Sequence, residues 1–303
     1  MAFTAADVKN LREMTGVGMM DCKKALAASD GDMDKAVEWL REKGLAASAK
    51  KAGRIAAEGM AYAGVIDGVG VVVEVNAETD FVGKNEKFVD FVKGVAATVA
   101  SCAPADMDAL MECKYNNTDL TVTQQQQEMV LVIGENIKVR RFARFADGVS
   151  VPYIHAGGKI GVLVNLEVTG GIDATEIGKD LAMQIAALNP RFLDKAQVTQ
   201  EVLDEEKKIL LAQMANDPKM ASKPDKVKEN IVAGKLNKFY AENCLLQQAF
   251  VKDGDVTVEQ YVTAAAKKLG GAVILKDAVR FEKGEGIEKK QENFAEEIAK
   301  LAK

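Results

Sequence analysis

The sequence predicts an α+β protein: a small helical bundle, two related halves with small antiparallel sheets, and an inserted helical hairpin. Three observations carry this expectation. The first 45 residues contain three short stretches with apolar side chains at helical spacing. A glycine-led apolar run followed by a helical pattern occurs twice, with Gly161 standing 91 positions after Gly70. Between Thr199 and Glu242 strand patterns vanish and only helical spacing remains.

In the bundle, Thr4 and Asp7 have capping-box spacing, and Val8 and Leu11 start an apolar stripe. A second helix fits residues 19–28, closed by Ser29-Asp30-Gly31. The third opens on Asp32 as N-cap, places Met33, Ala36, Val37 and Leu40 on one face, and is expected to end at Gly44 as C-cap. The small, basic run 46–53 reads as a linker or a loosely packed helix. Residues 60–66 and 70–75 flank Asp67-Gly68, a tight-turn signal, and form a hairpin. A helix with Phe88, Phe91, Val92 and Val95 on one face follows. The second copy runs from the Gly157-Gly158 turn through residues 161–167 to a helix carrying Ile177, Leu181, Ile185 and Leu188. A further echo pairs residues 134–145 with 270–281. Val202, Leu203, Ile209, Leu210 and Leu211 precede a break at Asp217-Pro218, and Val227, Ile231, Val232 and Leu236 follow Pro224, giving an antiparallel helical hairpin. A last helix fits Phe294, Ile298 and Leu301. The expected divisions are 1–53, 54–140, 141–283 with the insertion at about 195–240, and 284–303.

One loop stands out. The apolar run Val71-Val72-Val73-Glu74-Val75 reads as a strand buried on at least one face, and where it stops the chain places a carboxylate beside an aromatic ring at Asp80-Phe81. Binding residues concentrate on loops held by rigid scaffolds, so this pair is a candidate contact point. The competing reading folds Phe81 back onto the core.

Composition narrows the chemistry. The chain of 303 residues is 48% apolar and 28% charged, as expected for a soluble protein of two or three domains, and its net charge of −5 argues against affinity built on phosphate neutralisation. No apolar stretch reaches membrane-span length and no signal peptide is evident, so a cytoplasmic protein, or a processed organellar one, is expected. Cys22, Cys102, Cys113 and Cys244 are scattered without a CxxC pair; reduced thiols, no disulfide framework and no zinc site are expected. His155 is the single histidine, which excludes multi-histidine metal sites and leaves one candidate base. A GxxxxGK[ST] phosphate loop is absent, and Gly16-Val17-Gly18 joins two helical patterns rather than following a strand. The acids of Glu201, Asp204, Glu205 and Glu206 sit among lysines as a solvated face. No catalytic cluster, cofactor site or metal site emerges, and a binding protein is the expectation.

Longer motifs carry a family resemblance. Thr15-Gly16-Val17-Gly18-Met19-Met20-Asp21-Cys22-Lys23-Lys24-Ala25-Leu26 resembles the N-terminal signature of bacterial elongation factor Ts, and Glu74-Val75-Asn76 with Thr79-Asp80-Phe81-Val82 resembles its second signature. Ile133-Gly134-Glu135-Asn136-Ile137, the run from His155 to Val164, Cys244-Leu245-Leu246 and the run from Arg280 to Glu288 extend the likeness along the chain. The resemblance implies an exchange factor without its own active site that releases GDP from the GTPase elongation factor Tu. It implies a ubiquitin-associated-like (UBA-like) fold for the bundle. Thr79, Asp80, Phe81 and Val82 would disturb the GTPase magnesium site, with Phe81 as the wedge. Leu11, Met19, Met20 and Lys51 would meet the nucleotide-binding domain, and His155 with Gly157 another GTPase domain. Direct contact with nucleic acid or membrane is not implied, and pairing of two complexes through the hairpin stays open. Ala249 stands where the family usually has proline, Lys159 where it often has arginine, and Gly270-Gly271 where Gly-Glu-Asn is usual.

Two rivals remain at this point. In one, the bundle is an adaptor for some other protein and the two halves are scaffold. In the other, His155 serves an enzyme.

Overall fold

A computed structural model describes residues 3–288. The bundle comprises α1 (Ala5–Thr15), α2 (Met19–Ala28) and α3 (Met33–Lys51). The Thr4–Asp7 capping box forms, Asp32 caps α3, and Leu11, Leu26, Ala36 and Leu40 fill the small core. The first half follows with β1 (Glu58–Ile66), β2 (Val69–Ala77), α4 (Glu86–Cys102), α5 (Met107–Glu112), α6 (Val122–Ile133) and β3 (Lys138–Phe145). The second half contains β4 (Val149–His155), β5 (Ile160–Thr169) and α7 (Thr175–Leu188). Next come α8 (Gln200–Asn216), α9 (Pro218–Ala221) and α10 (Asp225–Asn243). The chain returns through β6 (Ala249–Phe250), β7 (Asp253–Thr257), α11 (Val258–Leu269) and β8 (Ala272–Glu282). The helix expected around Phe294, Ile298 and Leu301 lies outside the described residues.

Two three-stranded antiparallel sheets, ordered β1-β2-β3 and β4-β5-β8, form the centre. Asp67 and Gly68 both adopt positive φ, the geometry a two-residue hairpin turn needs to match strand twist. Val71, Val73 and Val75 pack against Phe88, Phe91, Val92 and Val95 of α4. Val162, Val164 and Leu166 pack against Ile177, Leu181 and Ile185 of α7. The opposite faces of the sheets meet through Ala61, Ala63, Val72, Leu163 and Phe281. Side chains alternate along a strand, so β2 is buried on both faces and reads as a continuous apolar run. Small residues bring the sheets close: a Cβ on Gly161 would lie 3.1 Å from the Ala61 carbonyl. The layers are therefore helices, sheet, sheet, helices.

The repeat extends to irregularities. Register slips between Glu74 and Val75 where β2 meets β3, and between Asn165 and Leu166 where β5 meets β8. These β-bulges sit at corresponding positions of the two copies.

Two sequence expectations need correction, and one stretch goes beyond them. Gly44 does not end α3, which continues to Lys51; the glycine lies buried, and a Cβ there would stand 3.3 Å from the Gln127 carbonyl of α6. It serves close helix packing rather than termination. Residues 103–133 hold two helices that the apolar pattern did not reveal, although Thr121 and Gln124 form a complete capping box. Finally, Cys102 and Cys113 are joined in a disulfide, whereas Cys22 and Cys244 are free and buried. The turn after α4 returns Cys113 to within 6.5 Å, Cα to Cα, of Cys102.

The hairpin of α8 and α10 carries its own apolar clusters: Leu210, Met214 and Val232 along its length, Val198, Phe239 and Cys244 at its base. No helix among the described residues is long and apolar enough to cross a membrane.

Candidate partner-contact site

Strand β2 delivers the chain into residues 78–81, and the loop is held by reciprocal hydrogen bonds. Oε2 of Glu135 accepts from the backbone N–H groups of Glu78 and Thr79 at 3.0 Å each, and its Oε1 accepts from the Thr79 hydroxyl at 2.7 Å. In return, Oε1 of Glu78 accepts from the N–H of Asn136 at 2.6 Å. The Asn136 side chain donates to the carbonyl of Arg54 at 2.8 Å, and Arg54 faces Glu78 at 3.5 Å. Three segments distant in sequence thus close into one clasp.

Beyond the clasp, Asp80 is exposed and Phe81 is 82% exposed. Phe81 opens a single 3₁₀ turn of residues 82–84, which ends at Asn85, the N-cap of α4. Val82 turns inward and joins the core of the first half. Gly83 rests on β1, where an added Cβ would stand 2.7 Å from the Gly59 carbonyl. The ring is therefore displayed to solvent with fixed backbone on both sides. The reading that folds Phe81 onto the core is overturned; Val82 takes that place.

Met19 and Met20 start α2 and are 51% and 64% exposed. Gly16, three residues before Met19, lines a cleft of about 290 Å³ together with Phe81, Asn85, Lys87 and Val132. Lys87 closes one wall by donating to the Gly16 carbonyl at 3.3 Å. The paired methionines and the aromatic loop consequently belong to neighbouring surfaces. Leu11 does not join them. It is fully enclosed in the bundle core, and its side chain has no surface to offer a partner.

Lys51 is half-buried at the end of α3. Burial pushes its amine below the ordinary lysine value and Arg54 adds to that, while the carboxylates of Glu78 and Glu135 pull it back up. It sits in the field of the clasp rather than in direct ion pairing with it.

His155 and Gly157 lie exposed in the β4–β5 turn, where Ala156, Gly157 and Gly158 all have positive φ. That turn packs on β1: the Gly158 carbonyl accepts from the N–H of Ala61 at 2.8 Å. Strand β1 thus supports both the Phe81 loop, through Gly59, and the His155 turn, through Ala61. The His155 Nδ1 is paired with the Tyr153 hydroxyl at 3.0 Å. A nucleophile–histidine–carboxylate relay needs a carboxylate at one ring nitrogen, and none is assembled here among the described residues. Lys159 stands 3.8 Å from Glu282 as a loose ion pair, without the two-pronged geometry an arginine could make.

Sequence reasoning picked out the loop but not Glu135, which holds it from 56 residues away. The only signal was its place in the Ile133-Gly134-Glu135-Asn136-Ile137 motif. No group of side chains suited to a metal ion is present among the described residues.

Fold and site together define an α+β protein that presents an anchored aromatic loop beside a helical bundle. A family profile described as Elongation factor TS matches residues 78–285. The chain is 48% identical to elongation factor Ts of Syntrophotalea carbinolica over 308 aligned positions covering all of both chains. It is 48% identical to that of Magnetococcus marinus over 99% of each chain. With that of Trichlorobacter lovleyi it shares 49% identity over all of this chain and 99% of the relative. The chain belongs to the elongation factor Ts family and is a translation elongation factor.

Proposed function

We propose that this chain is the guanine nucleotide exchange factor for elongation factor Tu, acting through the loop Thr79-Asp80-Phe81-Val82. The observation that carries this reading is the 82% exposure of a phenylalanine whose flanking backbone is pinned at Glu135 and Gly59. An exposed aromatic costs solvation in the free protein, and a rigid one loses little entropy when it enters a partner's pocket. Magnesium demands near-ideal octahedral geometry, so a ring wedged beside the GTPase magnesium site loosens the nucleotide that the ion bridges. Asp80 offers polar contacts at the wedge, and Val82 locks the loop to its own core. Met19 and Met20 provide an adaptable apolar patch for the nucleotide-binding domain, and Lys51, near the clasp, is a further contact to that domain. His155 and Gly157 address another domain of the GTPase. By linkage, nucleotide and exchange factor weaken each other's binding, so incoming GTP releases the factor. The chain itself needs no cofactor and makes or breaks no covalent bond in this role.

Release of labelled GDP from elongation factor Tu, followed with and without the protein, tests the proposal. Acceleration is expected, and Phe81→Ala is expected to reduce it about 30-fold, the effect of losing ~2 kcal/mol at a buried aromatic anchor. Unchanged GDP release in the presence of the unaltered chain overturns it.

A further inference from the structure

We infer that Glu135 is the positioning residue of the exchange loop: its carboxylate sets where Phe81 points without touching the partner. This rests on the exchange reading proposed above. Glu135 is half-buried, and both of its oxygens are committed to residues 78 and 79. Two consecutive backbone N–H groups converge on one oxygen while the Thr79 hydroxyl takes the other, which fixes the direction in which the chain leaves β2. Phe81 follows Thr79 by two residues, so a change in that direction moves the ring by an ångström or more. The reciprocal bond from Asn136 to Glu78 and the bond from Asn136 to Arg54 keep the turn that carries Glu135 from rotating away. Hydrogen bonds to an ionised carboxylate are stronger than those between neutral groups. Without the carboxylate, two N–H groups and a hydroxyl lose their acceptors and the loop has no single preferred course.

Substitution by glutamine discriminates this role from a general structural one. The amide oxygen of glutamine accepts both N–H groups, and its NH₂ donates to the Thr79 hydroxyl, which reverses and accepts. Glu135→Gln therefore keeps the clasp, whereas Glu135→Ala dissolves it.

The test measures GDP release from elongation factor Tu across a range of concentrations of the full chain, and amide hydrogen exchange of the free chain. Glu135→Ala is expected to lower the maximal release rate at least about tenfold, since displacing a working group by ~1 Å costs up to about 10²-fold. The half-saturating concentration is expected to move much less, because the bundle and the second half still bind. Glu135→Gln is expected to restore most of the rate. In the free chain, Glu135→Ala is expected to speed exchange at the amides of Glu78 and Thr79 while the amides of β2 stay protected. A Glu135→Ala protein with an unaltered maximal rate beside an active parent overturns this role and leaves the exchange reading standing. Unaltered protection at residues 78 and 79 does the same. No acceleration by the parent chain overturns the exchange reading, and this role with it.

Discussion

The carboxylate of Glu74, fully enclosed, meets the Nε of Arg141 at 2.5 Å. The bulge in β3 makes this possible, because two residues oppose one and both Arg140 and Arg141 reach the same carboxylate. The side chain of Asn76 and the N–H of Gly284 also donate to its Oε1, beside Arg140. Burial pushes the Glu74 carboxyl up, and these four donors together hold it below its ordinary 4.5. A carboxylate with a depressed value stabilises the fold above its unfolded-state pKa, and that contribution fades as pH falls through the folded value. Glu74→Ala takes away the carboxylate shared by two part-exposed guanidinium groups, which keep Glu285 as a partner, and is expected to cost about 2–3 kcal/mol at neutral pH. Urea unfolding of parent and variant from pH 7 down to pH 3 checks this, with the gap between them narrowing towards the acid end.

Leu11 and Met20 separate packing from contact. Leu11→Ala removes a fully buried side chain from a small core and is expected to destabilise the bundle by about 2–5 kcal/mol. Met20→Ala, at a 64% exposed position, is expected to change stability by no more than about 0.5 kcal/mol while weakening association with the GTPase. Melting curves and titration calorimetry on the two variants give the comparison.

Phe81 and Val82 are adjacent yet face opposite ways. Val82→Ala is expected to lower stability by about 2 kcal/mol, the loss of two buried carbons and the space they leave. Phe81→Ala is expected to leave the melting temperature unchanged and to slow GDP release. A fall in melting temperature for Phe81→Ala would contradict the exposed placement of the ring.

The Cys102–Cys113 bridge closes a loop of sequence separation 11 between the end of α4 and the end of α5. Opening so short a loop is expected to cost about 2–3 kcal/mol by relaxing the unfolded chain. Urea unfolding with and without a thiol reductant measures it, and a Cys102→Ser, Cys113→Ser protein should be insensitive to the reductant.

How much of this was legible in the sequence depends on how far apart the cooperating residues are. Elements with a local period were: Val8 with Leu11, Met33 with Leu40, and the doubled glycine-led strands each announced themselves within a few residues. Signals that depend on context mislead. Gly44 looks like a helix stop until the neighbouring α6 backbone shows why a side chain cannot fit there. The cysteines 102 and 113 look scattered until α4 and α5 fold back on one another. In the candidate site, Asp80-Phe81 could be found as an unusual pair at a strand exit, and the exposed methionines by their adjacency. For Leu11 the family resemblance implies a contact, whereas its helical spacing with Val8 points to the core where it lies. Glu135 carries no periodic mark, because one carboxylate bonding to a distant backbone leaves no pattern in either segment.

The two bulges have a mechanical consequence. In the second half the equivalents of Arg140 and Arg141 are Lys276 and Asp277, which turn to Asp147 and to the N–H of Ala278, and Asn165 Oδ1 has no hydrogen-bond partner among the described residues. In the first half the same kink gathers Glu74, both arginines, Gly284 and the carboxylate of Glu285. The chain leaving β8 is thereby fastened to β2 of the other half. Tension applied at Gly284 and Glu285 would therefore load β2 of the first sheet directly.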